Sequence, residues 1–299
     1  MTNTNLLDTS PRQLGDQTIG PLAYGCWRLV NMSVDGAQAR IECALEHGMN
    51  LVDTADVYGL DWGGTAFGSA EELLGGVLKQ KPELRRQMVL ASKGGIIPGV
   101  PYDSGYLEAA CEASLRRLGV EQLDLYQIHR PDMLSHPEET AAILDRLLTS
   151  GKIRQVGVSN HAPTQTSALM TFLPGKIISQ QSEYSALHLA PLFDGTFDQC
   201  MQHEQTMLAW SPLGGGTLTE LGGVPASLDK VLERLATRED VDRATLCLAF
   251  VLAHPAKPVA IVGSIDQGRI ASARNSLKVK LTRTDVYEII QASMGEDLP

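Results

Sequence analysis

The sequence predicts an α/β protein, a closed (β/α)8 TIM barrel with an N-terminal hairpin and extra C-terminal helices. Eight short apolar runs alternate with helical patterns along the chain, the rhythm of repeated strand-helix units. The 299 residues suit one such barrel, typically about 250 residues long. No Pro/Gly/Ser linker and no charge run separates the halves, so residues 1–299 are expected to form one domain. The competing architecture, a doubly wound sheet, usually has fewer strands and a topological switch point. No G-x-G-x-x-G is present to mark its nucleotide site.

Residues 1–20 are polar and turn-rich, with a hairpin expected around Gly15-Asp16. The first barrel strand is read from Leu22 to Trp27 and is followed by a helix over 35–47 that Gly48 terminates. Leu51 and Val52 form an apolar run that stops at Asp53, as a buried parallel strand does at its carboxyl end. Ser69 with Glu72 three residues on reads as a capping box for the next helix. Strands are then expected at 88–92, 123–128, 153–158, 177–181, 207–210 and 259–262. The helices between them are expected at 106–118, 137–148, 164–172, 191–202 and 228–253, with further helices from 267 and 282.

The net charge of -10 argues against a nucleic-acid surface and does not suggest a membrane-seeking one. Any anionic ligand must therefore find local donors. Five dispersed cysteines without a C-x-x-C pair suit reduced core thiols better than disulfides or zinc. The polar N-terminus has no apolar signal core, and no run approaches the roughly 20 residues that span a bilayer. A cytoplasmic protein is expected, and a monomer is the default because no assembly motif stands out.

In such a barrel the residues just past the strands gather at one mouth. Here they are Asp53 and Tyr58, Lys93, His129, Ser159 and Asn160, Gln181, Trp210 and Ser211, and Gly263 and Ser264. A phenol gives up its proton at a pKa of about 10, and bringing that to about 7 takes roughly 4 kcal/mol of phenolate stabilisation. The Lys93 ammonium in a low-dielectric pocket can supply much of this, with Asp53 keeping it charged. His129 can hydrogen-bond a substrate oxygen or relay a proton. The set suits a general acid aimed at a carbonyl oxygen.

The segments D-T-A-D-V-Y, A-S-K, Q-I-H-R-P-D, G-K-I-R-Q-V-G-V-S-N, Q-S-E-Y-S and W-S-P-L-G-G-G resemble those of the aldo-keto reductases, in that family's order and over nearly the whole chain. The resemblance implies an NADPH-dependent reductase of small-molecule aldehydes or ketones, with NADP(H) as cofactor. Tyr58 would be the proton donor, Lys93 and Asp53 its activators, and His129 the residue orienting the carbonyl. Ser159, Asn160 and Gln181 would bind the nicotinamide carboxamide and Trp210 would stack on the ring. Ser211, Pro212, Leu213 and Gly214 would wrap the pyrophosphate, while Gly263, Ser264 and Arg269 would lie at the adenosine 2′-phosphate. Trp27 and Trp62 would shape the substrate pocket.

Two departures from the family pattern bear on the adenine end. Many members carry a lysine where this chain has Gly263, and Glu-Asn where it has Ser272 and Ala273. The segment 59–68 is longer than the usual short Gly turn and is expected to bring Trp62 and Phe67 near the mouth. Plainer readings stand beside these. Asp53 can simply cap a turn, Lys93 can be a Schiff-base lysine, and His129 can be a satisfied core histidine. The glycines at 214–216 can be a flexible loop and Arg269 a surface residue. A regulatory subunit that uses bound nicotinamide as a redox sensor is the alternative function that the same family allows.

Overall fold

Strand pairing closes on itself. The computed structural model describes residues 4–60, 64, 66–96 and 104–298, for 104 and 105 the backbone only. A two-residue turn joins strand β1 (Arg12–Leu14) to β2 (Gln17–Ile19) in an antiparallel hairpin, with Leu14 opposite Gln17. Gly15 makes this turn at φ +58°, where a Cβ would also strike the Gln155 side chain.

The barrel strands are β3 (Leu22–Gly25), β4 (Leu51–Asp53), β5 (Val89–Gly94), β6 (Leu123–Ile128), β7 (Ile153–Ser159), β8 (Ile177–Glu183), β9 (Thr206–Trp210) and β10 (Val259–Val262). All pair in parallel in that order, and β10 returns to β3. Between the strands run α1 (Val34–Glu46), α2 (Ser69–Gln80), α3 (Ser104–Leu118), α4 (Pro137–Thr149), α5 (Pro163–Phe172), α6 (Thr196–Gln202), α7 (Ala226–Glu239) and α8 (Arg243–Leu252). Helices α9 (Gln267–Ala273) and α10 (Arg283–Met294) follow the last strand. No described helix is long and apolar enough to cross a membrane.

Alternation along each strand divides the core into two layers. Ala23, Leu51, Ala91, Leu125, Leu208 and Ile261 fill the barrel interior, where Leu14 and Ile19 of the hairpin join them from below. Tyr24, Val52, Leu90, Tyr126 and Val156 point outward and pack under the helices. The hairpin is fixed as a floor by polar contacts: Thr206 Oγ1 donates to the Gln13 carbonyl at 2.6 Å and Gln17 Nε2 to Asp124 Oδ1 at 3.1 Å.

Several local expectations are corrected. The first barrel strand ends at Gly25, and Cys26–Arg28 forms a 3-10 turn that carries Trp27 and Arg28 over the rim. Gly68 at φ +85°, rather than Ser69, is the N-cap of α2, so the expected capping box is absent. Ser69 instead donates its hydroxyl to the Ala66 carbonyl at 2.7 Å. The helix expected over 191–202 is split into a 3-10 turn, Ala190–Leu192, and α6, because Gly195 turns the chain at φ +88° between them. The helical stretch 228–253 is likewise two helices, separated at Asp240 with φ +55°. Strands β5 and β8 run two residues further than expected, which places Lys93 inside its strand rather than after it and Gln181 two residues before the end of its own.

Candidate active site

Parallel register brings the central residues together. Asp53 pairs with Ala91 across β4 and β5, and Lys93, two residues on, pairs with Gln127 of β6. Asp53, Lys93 and Gln127 therefore all point into the barrel near its carboxyl rim, and each is buried. Gly157 on β7 makes room for them: a Cβ there would lie 2.1 Å from Ser179 Oγ and 3.1 Å from Gln127 Cγ.

The three protons of the Lys93 ammonium are all committed. They go to Asp53 Oδ2 at 2.7 Å, the Thr54 carbonyl at 2.8 Å and the Tyr58 hydroxyl at 3.1 Å. The other Asp53 oxygen accepts from Gln127 Nε2 at 3.2 Å and Gln181 Nε2 at 3.1 Å. Such saturation is what a buried charge pair requires. Since Lys93 can only donate, the Tyr58 oxygen accepts from it, and the phenolic proton is left to point away, toward the rim.

Burial works against the Lys93 ammonium, but Asp53 and Tyr58 outweigh it and raise the pKa, so the lysine stays charged. The expected depression of the Tyr58 pKa is not found. Burial dominates and raises it, the pull of Lys93 being partly offset by Asp53. The phenol is thus neutral at rest, and the ammonium acts on the phenolate that forms once the proton leaves. At 3.1 Å that attraction is on the order of 5 kcal/mol for an effective dielectric near 20.

His129 lies across from Tyr58, its ring edge-on with centroids 5.9 Å apart. Burial, then Lys93 and Arg130, hold its pKa well below the usual histidine value, so the imidazole is neutral. Its buried Nδ1 has no hydrogen-bond partner among the described residues. An orphaned acceptor costs less there than an orphaned N–H, which assigns the proton to Nε2. A neutral ring protonated on Nε2 can donate a hydrogen bond to an oxygen.

Ser159, Asn160, Gln181 and Trp210 are contiguous at the rim. Asn160, at φ +58°, donates through Nδ2 to the His129 carbonyl and to Ser159 Oγ, both at 3.0 Å. Its Oδ1 accepts from Trp210 Nε1 at 3.1 Å. The indole is thereby held beside the tetrad of Asp53, Tyr58, Lys93 and His129, and Trp210 is half-buried.

The loop after β9 leaves open space beside a glycine-rich backbone. Ser211 is at φ +49° and Gly214, Gly215 and Gly216 are at +56°, +69° and +114°. A Cβ on Gly215 or Gly216 would meet nothing within 4 Å, so open space borders the backbone there. Glycine serves the conformation and the close approach together. Pro212 is buried and Leu213 half-buried beneath the loop. Opposite, Ser264 Oγ accepts from the Asp266 amide at 3.2 Å, and Arg269 is exposed at the start of α9. Among the described residues no side chain pairs with the Arg269 guanidinium.

Trp27 is half-buried at the rim, with the Arg28 guanidinium 5.3 Å from its ring centre. Trp62 lies outside the described residues. Phe67 takes the Arg117 guanidinium at 5.9 Å from its ring centre. The sequence reading missed two side chains at this end of the barrel, Gln127 and Arg28. A polar residue two positions after the inward Leu125 signals the first, and the only cation directly after the first strand signals the second.

The sequence profile of the Aldo/keto reductase family matches residues 21–293. The chain belongs to that family. This aldo/keto reductase is 44% identical to a 6-dehydroglucose reductase of Novosphingobium aromaticivorans, over 96% of this chain and 97% of that one. It is 34% identical to a 6-dehydroglucose reductase of Agrobacterium fabrum, over 93% of this chain and 95% of that one. Its fold superposes with a TM-score of 0.80 on an aldo/keto reductase from Klebsiella pneumoniae solved with NADP and acetate, at 25% identity, covering 98% and 97% of the two chains. The closed eight-stranded barrel expected from sequence is present, as in those relatives.

Proposed function

We propose that the protein is an NADP-dependent reductase that converts the aldehyde of an oxidised sugar to an alcohol, with Tyr58 as the proton donor. The observation that carries this reading is the Lys93 ammonium held between Asp53 and the Tyr58 hydroxyl, 2.7 Å and 3.1 Å away. When bound, NADPH supplies the hydride. The chain's own residues do the rest. His129 Nε2–H and the Tyr58 hydroxyl converge on the carbonyl oxygen and polarise it. As charge develops on that oxygen Tyr58 releases its proton, and Lys93 stabilises the phenolate left behind. Asp53 and Tyr58 together raise the lysine pKa, so the lysine is charged at the moment it is needed. Trp210, fixed by Asn160, offers a flat face for the nicotinamide, with Ser159 and Asn160 beside it for the carboxamide. Gln181 is drawn onto Asp53 and serves the tetrad first.

Support for the sugar aldehyde comes from the name of a relative 44% identical over nearly the full length of both chains. The half-open rim of polar and aromatic groups suits a hydrophilic substrate. The test is NADPH oxidation with glucose 6-aldehyde beside aromatic aldehydes, dicarbonyls and simple ketones, repeated with NADH. The expected result is turnover with NADPH, fastest on the sugar aldehyde and weaker with NADH. Tight NADPH binding without turnover on any carbonyl would overturn the assignment.

A further inference from the structure

Arg28 stands where the two halves of the cofactor groove meet. Its NH1 donates to the Gly263 carbonyl at 3.2 Å, at the end of β10, and its NH2 to the Gly215 carbonyl at 3.4 Å, in the glycine loop after β9. Its guanidinium lies over the Trp27 ring, which presets its plane. It also lies 3.5 Å from the point where a Cβ on residue 263 would begin.

We propose that Arg28 is a cofactor-binding residue, a cation that reaches across from the first barrel strand to neutralise the pyrophosphate of NADP(H). The inference rests on the NADP-dependent reading above. Four observations lead to it. The chain carries a net charge of -10, so a phosphate group arriving at the rim needs cations placed locally. The glycine loop offers backbone donors and space but no charge of its own. The amino end of α9, the other source of positive potential nearby, is already capped by Asp266, which accepts from the Arg269 amide at 2.8 Å and opposes an anion there. Among the described residues, Arg28 ties a side-chain charge to Gly215. The two carbonyl bonds hold its fork at the edge of the glycine loop. A planar fork held this way is matched to a phosphate oxygen pair.

The position separates the work of two arginines. Arg28 touches the loop that borders the pyrophosphate, common to NADPH and NADH, whereas Arg269 stands on α9 toward the 2′-phosphate that NADPH alone carries. Calorimetric titration of the full-length protein with NADPH and with NADH distinguishes them. Arg28→Ala is expected to weaken both by roughly ten- to a hundredfold, as loss of a charge-assisted contact does. Arg28→Lys is expected to recover part of that loss. Arg28→Gln, which keeps donors for the two carbonyls but no charge, is expected to bind as poorly as the alanine variant. Arg269→Ala is expected to weaken NADPH alone. Unchanged affinity in Arg28→Ala, full affinity in Arg28→Gln, or a loss confined to NADPH each overturns the proposal. Wild-type protein that binds neither dinucleotide would instead overturn the cofactor reading on which it rests. Thermal unfolding of each variant, free of cofactor, separates this role from a structural latch: a latch lowers the unfolding temperature of Arg28→Ala, and the binding role leaves it near wild type.

Discussion

The Lys93 ammonium donates to the Tyr58 hydroxyl at 3.1 Å, so the phenolic proton points away from a fixed positive charge behind the ring oxygen. Replacing Tyr58 by Phe removes the proton and leaves the ring. Turnover of a carbonyl substrate is expected to fall by at least about a hundredfold, the lower end for a general acid, while NADPH affinity measured by titration stays near wild type. Normal turnover in Tyr58→Phe would sink the assignment of the acid.

Neither His129 nor the proposed acid, Tyr58, titrates near neutrality. His129 is held well below the usual histidine range by burial and by Lys93, and Tyr58 is raised above its own by burial. The reducing form needs Tyr58 protonated, and protons are lost as pH rises. A plot of kcat/KM for reduction against pH is therefore expected to be flat from about 6 to 9 and to decline only on the alkaline side. A limb with a midpoint near 6.5 would contradict the neutral histidine.

Asp53 balances Lys93 in a buried ion pair. Asp53→Asn leaves the buried ammonium without its counter-charge, and breaking such a pair costs roughly 3–5 kcal/mol. Urea unfolding at neutral pH should show a loss of that size. Reduction should slow as well, since an uncompensated lysine gives up its proton more easily and then cannot stabilise the phenolate.

His161 is 7% exposed, and its Nδ1 lies 2.9 Å from the Ser159 carbonyl, where it donates as the neutral ring. Burial lowers its pKa from 6.5 to about 4, the Ser159 contact only partly opposing this. Between those values the unfolded chain binds a proton that the folded one refuses. Stability therefore rises with pH across that window and is lost as pH falls through it, by on the order of 3 kcal/mol for this residue. His254, also lowered to about 4 by burial, adds in the same direction. Unfolding free energy measured from pH 4 to 7 should show the slope, and His161→Asn should flatten it.

Gly157 is set by the neighbours of its missing Cβ. Alanine there would overlap Ser179 Oγ at 2.1 Å and press on Gln127 Cγ at 3.1 Å. Overpacking of this kind costs about 1–3 kcal/mol. It should also displace Gln127 from Asp53, so a drop in kcat is expected to accompany the lower melting temperature.

The barrel and its tetrad were legible because both depend on periodic apolar runs. Strands β6 and β10 match expectation to the residue, their apolar runs being bounded by polar or turn residues on each side. What escaped depends on contacts between distant segments. Nothing local announces that Ser182 and Glu183 continue β8, since only their pairing with Ala209 and Trp210 holds them extended. Gly195 could be foreseen as a breaker, but Ser69 offered a cap that the chain rejects in favour of a left-handed Gly68. The direction of the Tyr58 pKa shift was misjudged because a sequence names the nearby cation and not the depth of burial that opposes it. Arg28 stayed hidden because its partners, Gly215 and Gly263, lie nearly 200 residues or more downstream.

The seam between β10 and β3 joins Ala260 to Leu22 and Val262 to Tyr24, the far end of the barrel to its beginning. A ribosome must emit the chain through Val262 before the first barrel strand finds its second neighbour. Until then β3 has one unpaired edge, a template for any other extended segment within reach. The exposed interval therefore lasts as long as the barrel is incomplete, and a short strand, Val259–Val262, ends it.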